Sequence, residues 1–326
     1  MNILPDANFF QKTMPQTEKN EYLLEVEHLS MTIERYEKGL NPIRQAVIRD
    51  FHLTIRKGEI IAIVGASGSG KSLLADAILG IQPKNAVVEG VLKYNNEPLS
   101  DKKKKELRGK EIMLIPQLTN ALDPLMKVEK QVKSFLKIKN KRKLEEIFFQ
   151  VGLDKKAMKQ LPANLSGGMV RRVFAAMALA SDAKLIIADE PTNGLDEEAA
   201  NDMLRLLKML AEQEKGIIFI THDIEAALKI ADKIAVFYAG ETVEIVARKH
   251  FIRGGAHLRH PYTKALWYAL PQNGFQPFYP FQPSTTENSR GCQFVEHCPK
   301  AKTVCKERHP DLKTIHGGDK VRCFYA

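Results

Sequence analysis

Gly65-Ala66-Ser67-Gly68-Ser69-Gly70-Lys71-Ser72 is the stretch whose reading decides the fold. An apolar run, Ile60 to Val64, stands before it and reads as a buried strand. Leu73-Leu74-Ala75-Asp76-Ala77-Ile78-Leu79 follows with the apolar spacing of a helix. The pattern GxxxxGK[ST] has a physical basis, because its glycines let the backbone curl and aim several N–H groups at one anion. Lys71 is placed to reach the outer phosphates, Ser72 to put its hydroxyl on Mg²⁺, and the helix adds the positive end of its dipole. A plain glycine-rich turn lacks this combination of strand, loop, Lys-Ser and helix. Residues 65–72 therefore read as a nucleotide-phosphate site.

Working outward, other strand ends carry chemistry. Leu185-Ile186-Ile187-Ala188-Asp189-Glu190 is an apolar strand that delivers two carboxylates at its C-terminal end. Behind a phosphate loop, the first carboxylate holds Mg²⁺ and the second orients a nucleophilic water. Ile217-Ile218-Phe219-Ile220-Thr221-His222-Asp223 repeats the form with a histidine at its tip. That histidine reads either as a satisfied structural residue or as part of the same site edge. Ile112-Met113-Leu114-Ile115 runs into Pro116-Gln117, where an amide can reach a metal or a water. Leu165-Ser166-Gly167-Gly168-Met169 leads into an apolar helix that Ser166 can cap, its paired glycines leaving the N-terminus open to a phosphate.

Composition sets the frame. The 326 residues have room for one large α/β domain plus an appendage, and a hydrophobic fraction of 44% suffices for a buried core. No apolar run approaches the ~20 residues of a membrane-spanning helix, and no secretory pattern opens the chain. The expectation is a soluble, cytosolic chain. A net charge of +10 admits nucleic acid or an anionic membrane surface as a partner. Runs such as Lys102 to Lys105 and Lys137 to Lys143 read more simply as solvated faces.

Residues 1–20 are polar and broken by Pro5 and Pro15, so they are expected to be poorly ordered. Alternation from Leu24 to Ile33, with further pieces at Ala46 to Ile48, Phe51 to Ile55 and Ala86 to Tyr94, predicts an antiparallel sheet beside the loop. Residues 124–163 have helical spacing with many charges and read as a helical insertion outside the central sheet.

Taken together, the phosphate loop, Gln117, Leu165-Ser166-Gly167-Gly168, Asp189-Glu190, Leu195-Asp196 and His222 resemble, in order and spacing, the ATP-binding-cassette ATPases. The resemblance covers roughly residues 22–270. It implies an α/β phosphate-loop cassette with a mainly parallel core sheet flanked by helices, an antiparallel β subdomain and a helical subdomain at about 118–180. It further implies two cassettes in a head-to-tail sandwich around two ATPs. Residues Gly65 to Ser72 would then bind ATP, with Lys71 contributing to catalysis, and Ser72, Gln117 and Asp189 would serve Mg²⁺. Glu190 would be the general base, and His222 would position water and the γ-phosphate. Ser166, Gly167 and Gly168 would meet the partner's ATP, Asp196 would lie in the interface loop, and Gln117 would link the site to a membrane subunit. Met169 stands where the family most often has Gln, and Gly194 where Ala or Ser is usual. The first fits the peptide-importer branch. The adenine-stacking position of the family falls near Ile33, with Tyr36 three residues on.

The tail resembles the C-terminal extension of oligopeptide, dipeptide and nickel importer ATPases through His260-Pro261-Tyr262-Thr263-Lys264-Ala265-Leu266 and Gly291-Cys292-Gln293-Phe294-Val295-Glu296-His297-Cys298-Pro299. Residues 271–290 read as an irregular linker. Cys292, Cys298, Cys305 and Cys323 lack the tight spacing of a zinc ribbon, yet four thiolates brought together hold either an iron–sulfur cluster or Zn²⁺. The resemblance points to [4Fe–4S], with Zn²⁺ second. The domains expected are a flexible segment 1–21, an ATPase domain 22–250 and an extension 251–326.

The reading that results is an ATP-hydrolysing subunit energising import of oligopeptides or dipeptides from the cytoplasmic face of the plasma membrane. Its implied partners are a second, different cassette, two membrane-spanning permease subunits and an extracellular binding protein, with no nucleic acid. Nickel or a metal chelate is the alternative cargo. A soluble cassette ATPase acting on nucleic acid or ribosomes is the alternative class.

Overall fold

The computed structural model describes residues 22–36, 42–117, 121–138, 140–252, 254–274 and 290–326, without the side chains of Tyr36, Pro42 and His316. The segments read as a disordered N-terminus and as most of the proline-rich linker, 1–21 and 275–289, lie outside the described residues.

The chain begins with β1 (Leu24–Tyr36), β2 (Pro42–Ile55) and β3 (Ile60–Val64), and α1 (Lys71–Leu79) leaves directly from the glycine loop. Then come β4 (Ala86–Tyr94), β5 (Glu97–Pro98), α2 (Asp101–Leu107) and β6 (Ile112–Ile115). Four helices follow, α3 (Val128–Ser134), α4 (Lys141–Gln150), α5 (Lys155–Met158) and α6 (Gly167–Ala180). The sheet resumes with β7 (Leu185–Asp189), α7 (Glu197–Glu212), β8 (Gly216–Thr221), α8 (Ile224–Ile230), β9 (Lys233–Tyr238) and β10 (Glu241–Ala247). The tail holds α9 (Arg248–Ile252), α10 (Pro261–Tyr268), α11 (Thr303–Glu307), β11 (Lys313–Thr314) and β12 (Lys320–Val321).

Strand order is β5-β4-β1-β2-β10-β9-β3-β8-β7-β6. β9, β3, β8, β7 and β6 run parallel, while β2, β1, β4 and β5 pair antiparallel, as the two kinds of sequence pattern predict. β3 and β6 are apolar at every position, and β7, β8 and β9 are apolar except at their ends, because both faces are covered. In β3, Ile60, Ala62 and Val64 enter one core, and Ile61 and Ile63 enter the other. β8 divides the same way, with Ile217 and Phe219 against Ile218 and Ile220.

The first core takes in the helical layer, in which α4 buries Leu144, Ile147 and Phe148 and turns its charges outward. α3 to α5 thus form the insertion expected for residues 124–163, packed on α6 rather than entered into the sheet. The short pieces predicted near residues 24–55 are in fact two long strands. Bulges in β1 between Val26 and Thr32 absorb the broken alternation while the pairing with β2 continues. The tail joins the sheet as well, since β12 pairs antiparallel with β10 at Glu244 and Ile245. No helix among the described residues is long and apolar enough to cross a membrane.

Candidate active site

Parallel order puts the C-terminal ends of β3, β8, β7 and β6 on one edge, the edge where such sheets bind ligands. The glycine loop leaves β3 there. Gly68 and Gly70 take φ of 76° and 96°, left-handed values that side chains with a Cβ rarely adopt. Gly65 is required for space, because a Cβ there would lie 2.3 Å from the Phe237 carbonyl oxygen.

Lys71 opens α1 and is buried. Its ammonium donates to the carbonyls of Gly65 at 2.9 Å and Ala66 at 2.8 Å, so the loop wraps its own cation. Burial lowers the Lys71 pKa, and the charges of Glu190 and Asp189 oppose that shift. Asp189 closes β7 and is buried too. Burial raises its pKa and Glu190 adds to the rise, while the Ser72 hydroxyl and Lys71 pull the other way. Asp189 Oδ1 is a buried oxygen with no hydrogen-bond partner among the described residues, and Ser69 Oγ is another. An orphan carboxylate oxygen beside a serine hydroxyl and near the phosphate loop is the donor set of a hard, oxygen-seeking cation, so these residues fit Mg²⁺.

Glu190 follows with φ of 46°, a left-handed conformation that turns its side chain off the strand. Its oxygens both lie 2.9 Å from His222 Nδ1, and the Thr221 hydroxyl donates to Oε2 at 3.4 Å. A carboxylate only accepts, so Nδ1 carries the hydrogen and Nε2 faces away from Glu190. His222 is half exposed while Glu190 is 7% exposed, so a buried carboxylate is tied to a ring that reaches the open edge.

The remaining expected residues stand apart from this group. Gln117 lies exposed, two residues past β6 on the same edge. Ser166 caps α6 by accepting from Met169 N at 3.3 Å, and Ser166 and Gly167 are exposed. Asp196 caps α7 through Ala199 N at 2.8 Å. Among the described residues no hydrogen bond joins Ser166, Gly167, Gly168 or Asp196 to the phosphate loop. Ile33 is a core residue of β1, 7% exposed, and the Tyr36 side chain is not described.

Sequence reading passed over two neighbours of the site. Thr221, the last residue of β8, is a buried hydroxyl directly before the histidine, and that position was the available signal. Tyr262, fully buried on α10, lies against the Ala66 backbone, which tempers a phenol pKa raised by burial and by Tyr238. The tail thereby touches the phosphate loop. Within the tail the four cysteines form no disulfide. Burial pushes the Cys292 thiol up to about 11, with Cys298 and Cys305 as further neighbours that raise it. Cys298 and Cys323 are raised by burial too, and each feels Cys305. The four converge on one place, yet no three of their sulfurs lie within 4.8 Å of one another.

Residues 48–193 match the family described as ABC transporter, and residues 243–305 match the oligopeptide/dipeptide transporter C-terminal region. The oligopeptide transport ATP-binding protein AppD of Bacillus subtilis (strain 168) is 32% identical, over 93% of this chain and 96% of that protein. OppD of the same organism, named likewise, is 38% identical over 76% and 72%. The dipeptide transport ATP-binding protein DppD of Escherichia coli (strain K12) is 33% identical over 83% and 88%. Among solved structures, the ATP-binding cassette MJ0796, in a dimeric post-hydrolysis state bound to ADP and Pi, superposes with a TM-score of 0.59. It is 28% identical and covers 69% of this chain and 98% of that one. With the phosphate loop, the paired carboxylates and the histidine on one sheet edge, and the importer-type region behind them, the chain belongs to the ABC transporter family as an ATP-binding subunit.

Proposed function

We propose that this chain is the ATP-hydrolysing subunit that energises an importer for oligopeptides or dipeptides. The observation that carries the reading is the pairing of Glu190 with His222 at 2.9 Å on the edge that presents Lys71 and Asp189. The loop amides and Lys71 hold the phosphates, and Ser72 and Asp189, with Gln117, would hold Mg²⁺. Bound Mg²⁺ supplies positive charge against the phosphate oxygens. Glu190 takes the proton of the attacking water as general base, and His222 keeps its carboxylate aimed while Nε2 meets the γ-phosphate. Catalysis of this kind is positional and electrostatic, so small displacements of these groups are costly.

The exposed Ser166-Gly167-Gly168 and Asp196 complete the site of a facing cassette, whose own signature completes this one. A different cassette is the partner we favour, in line with the importer-type tail. A groove of roughly 530 Å³ beside the Gln117 edge is lined by Leu79, Ile81, Met113, Leu122, Met126 and Phe135. We assign to it a cytoplasmic segment of a permease subunit, which holds the chain at the membrane's cytoplasmic face. A binding protein outside the membrane supplies the peptide. Residues 22–250 then serve as motor domain and 251–326 as its extension.

For the cysteines we favour an iron–sulfur cluster over zinc. One Zn²⁺ at ~2.3 Å from each sulfur needs thiolates about 3.8 Å apart. No three of the sulfurs here lie within 4.8 Å of one another, which is wider than a single zinc would take and leaves the larger cluster as the group we favour. Cys292, Cys298, Cys305 and Cys323 would hold it, and its binding would supply folding energy to a short segment.

Glu190→Gln is the test. It keeps the shape and the binding charge of Lys71 and Asp189 but removes the base, so ATP binding persists and turnover in the assembled transporter falls by 10²-fold or more. Undiminished turnover would refute Glu190 as the base.

A further inference from the structure

Away from the nucleotide edge, one group of three ligand-bearing side chains converges among the described residues: His28, Asp50 and His52. Asp50 and His52 stand two apart on β2 and so share a face. His28 comes from β1, at a point where the strand is bulged on both sides. Its register slips against β2 between Val26 and Leu29, and against β4 between Glu27 and Ser30. His28 itself has φ of 52°. Gly90 of β4 lets the bulge close, since a Cβ there would lie 2.6 Å from the His28 carbonyl oxygen.

The result is that both rings point at one oxygen. His28 Nδ1 lies 3.0 Å and His52 Nε2 2.9 Å from Asp50 Oδ1, and the rings meet edge-on with centroids 4.4 Å apart. The other oxygen, Oδ2, is 2.8 Å from Arg322 Nη2, which also donates to the Asp50 carbonyl at 3.0 Å. Arg322 is itself buried and anchored to the Thr242 and Pro310 carbonyls, so the carboxylate cannot swing away.

We propose that His28, Asp50 and His52 form a surface site for a divalent, nitrogen- and oxygen-preferring metal of the zinc type. Magnitudes favour this over a plain hydrogen-bonded cluster. A left-handed histidine costs about 1–2 kcal/mol, whereas an exposed ion pair returns about 0–1 kcal/mol. His28 is 76% exposed, so burial does not make up the difference. The geometry needs little change. Tetrahedral zinc with ~2.0 Å bonds holds its ligand atoms about 3.3 Å apart, a few tenths beyond the N–O distances here. Arg322 on Oδ2 acts as the outer partner that orients a ligating carboxylate. Three protein ligands and an exposed fourth position make the site exchangeable rather than closed. Two imidazoles and a carboxylate suit Zn²⁺, and Ni²⁺ and Cu²⁺ compete for the same donors.

The test uses the full chain with its tail cysteines intact and Zn²⁺ alone, so that uptake by the tail thiols is common to parent and variants and cancels in their comparison. Zinc content after dialysis and the zinc-induced rise in Tm are measured. The parent should gain one more equivalent of Zn²⁺ than either His28→Asn or His52→Asn, and only the parent should show that part of the Tm rise. Asparagine tolerates the left-handed backbone, so His28→Asn should keep its metal-free Tm and its nucleotide affinity. Equal zinc content and equal Tm rise in parent and variants would overturn the site, as would a parent that takes up no zinc.

Discussion

His260 is the clearest place to test how the tail is held. It caps α10, its Nδ1 accepting from Tyr262 N at 3.1 Å, and it is 2% exposed against the Phe294 ring. Burial, with repulsion from Arg322 second, pushes its pKa from 6.5 down to about 3. A folded-state value below the unfolded one means that stability is fully present above pH 6.5 and is lost as pH falls toward 3. Between pH 7 and pH 5 the unfolded ring gains a proton that the folded ring refuses, which removes about 2 kcal/mol. Protonation would also abolish the capping acceptor. Asparagine caps helices well and does not titrate in this range, so His260→Asn keeps the bond while deleting the proton. Thermal unfolding of both proteins from pH 7 to pH 5 is the assay. Whatever Tm His260→Asn starts from, its fall should be shallower than the parent's by a few degrees, the equivalent of about 2 kcal/mol in a large domain. Equal falls would refute the claim that a buried neutral imidazole holds the tail.

Three further outcomes follow from the geometry. The purified subunit alone should be a weak ATPase if, as proposed, Ser166 and Gly168 complete the site of a facing cassette; full turnover by a monomer in sizing and steady-state assays would remove the sandwich. Gly65→Ala places a methyl against the Phe237 carbonyl, so it should cost about 1–3 kcal/mol in unfolding and weaken ATP binding by equilibrium dialysis. Anaerobically purified protein should contain iron and sulfide with broad visible absorbance that Cys298→Ser abolishes, while zinc without iron, or freely alkylated cysteines in a folded tail, would count against the cluster.

Local chemistry was legible because it needs particular residues in a row. The loop from Gly65 to Ser72, the apolar strand before Asp189-Glu190 and the cap at Ser166 each announce themselves within a few positions. The alternating and continuous apolar runs likewise separate the antiparallel from the parallel strands. What stayed hidden depends on residues far apart in the chain. The Glu190 turn that meets His222 is a backbone conformation without a sequence mark, since a left-handed glutamate has no compositional signal. Tyr262 was legible as part of a tail motif but not as a neighbour of Ala66. The bulges that turn β1 into one strand broke the alternation, and so concealed its length.

The bond between Arg322 and Asp50 spans 272 residues, and β12 fills the stretch of β10 that β2 leaves unpaired. During synthesis, then, the sheet cannot be finished until Lys320, Val321 and Arg322 have been made. At a ribosomal pace of ~5–20 residues per second, β10 waits several seconds with an open edge while the tail is made. An exposed edge is a template for pairing with other chains, so this is the interval in which the nascent protein is most prone to aggregate. A stop codon before Lys320 would make that interval permanent. Loss of Lys320 and the residues after it should send the chain to inclusion bodies or proteolysis, although every ATPase motif would be intact.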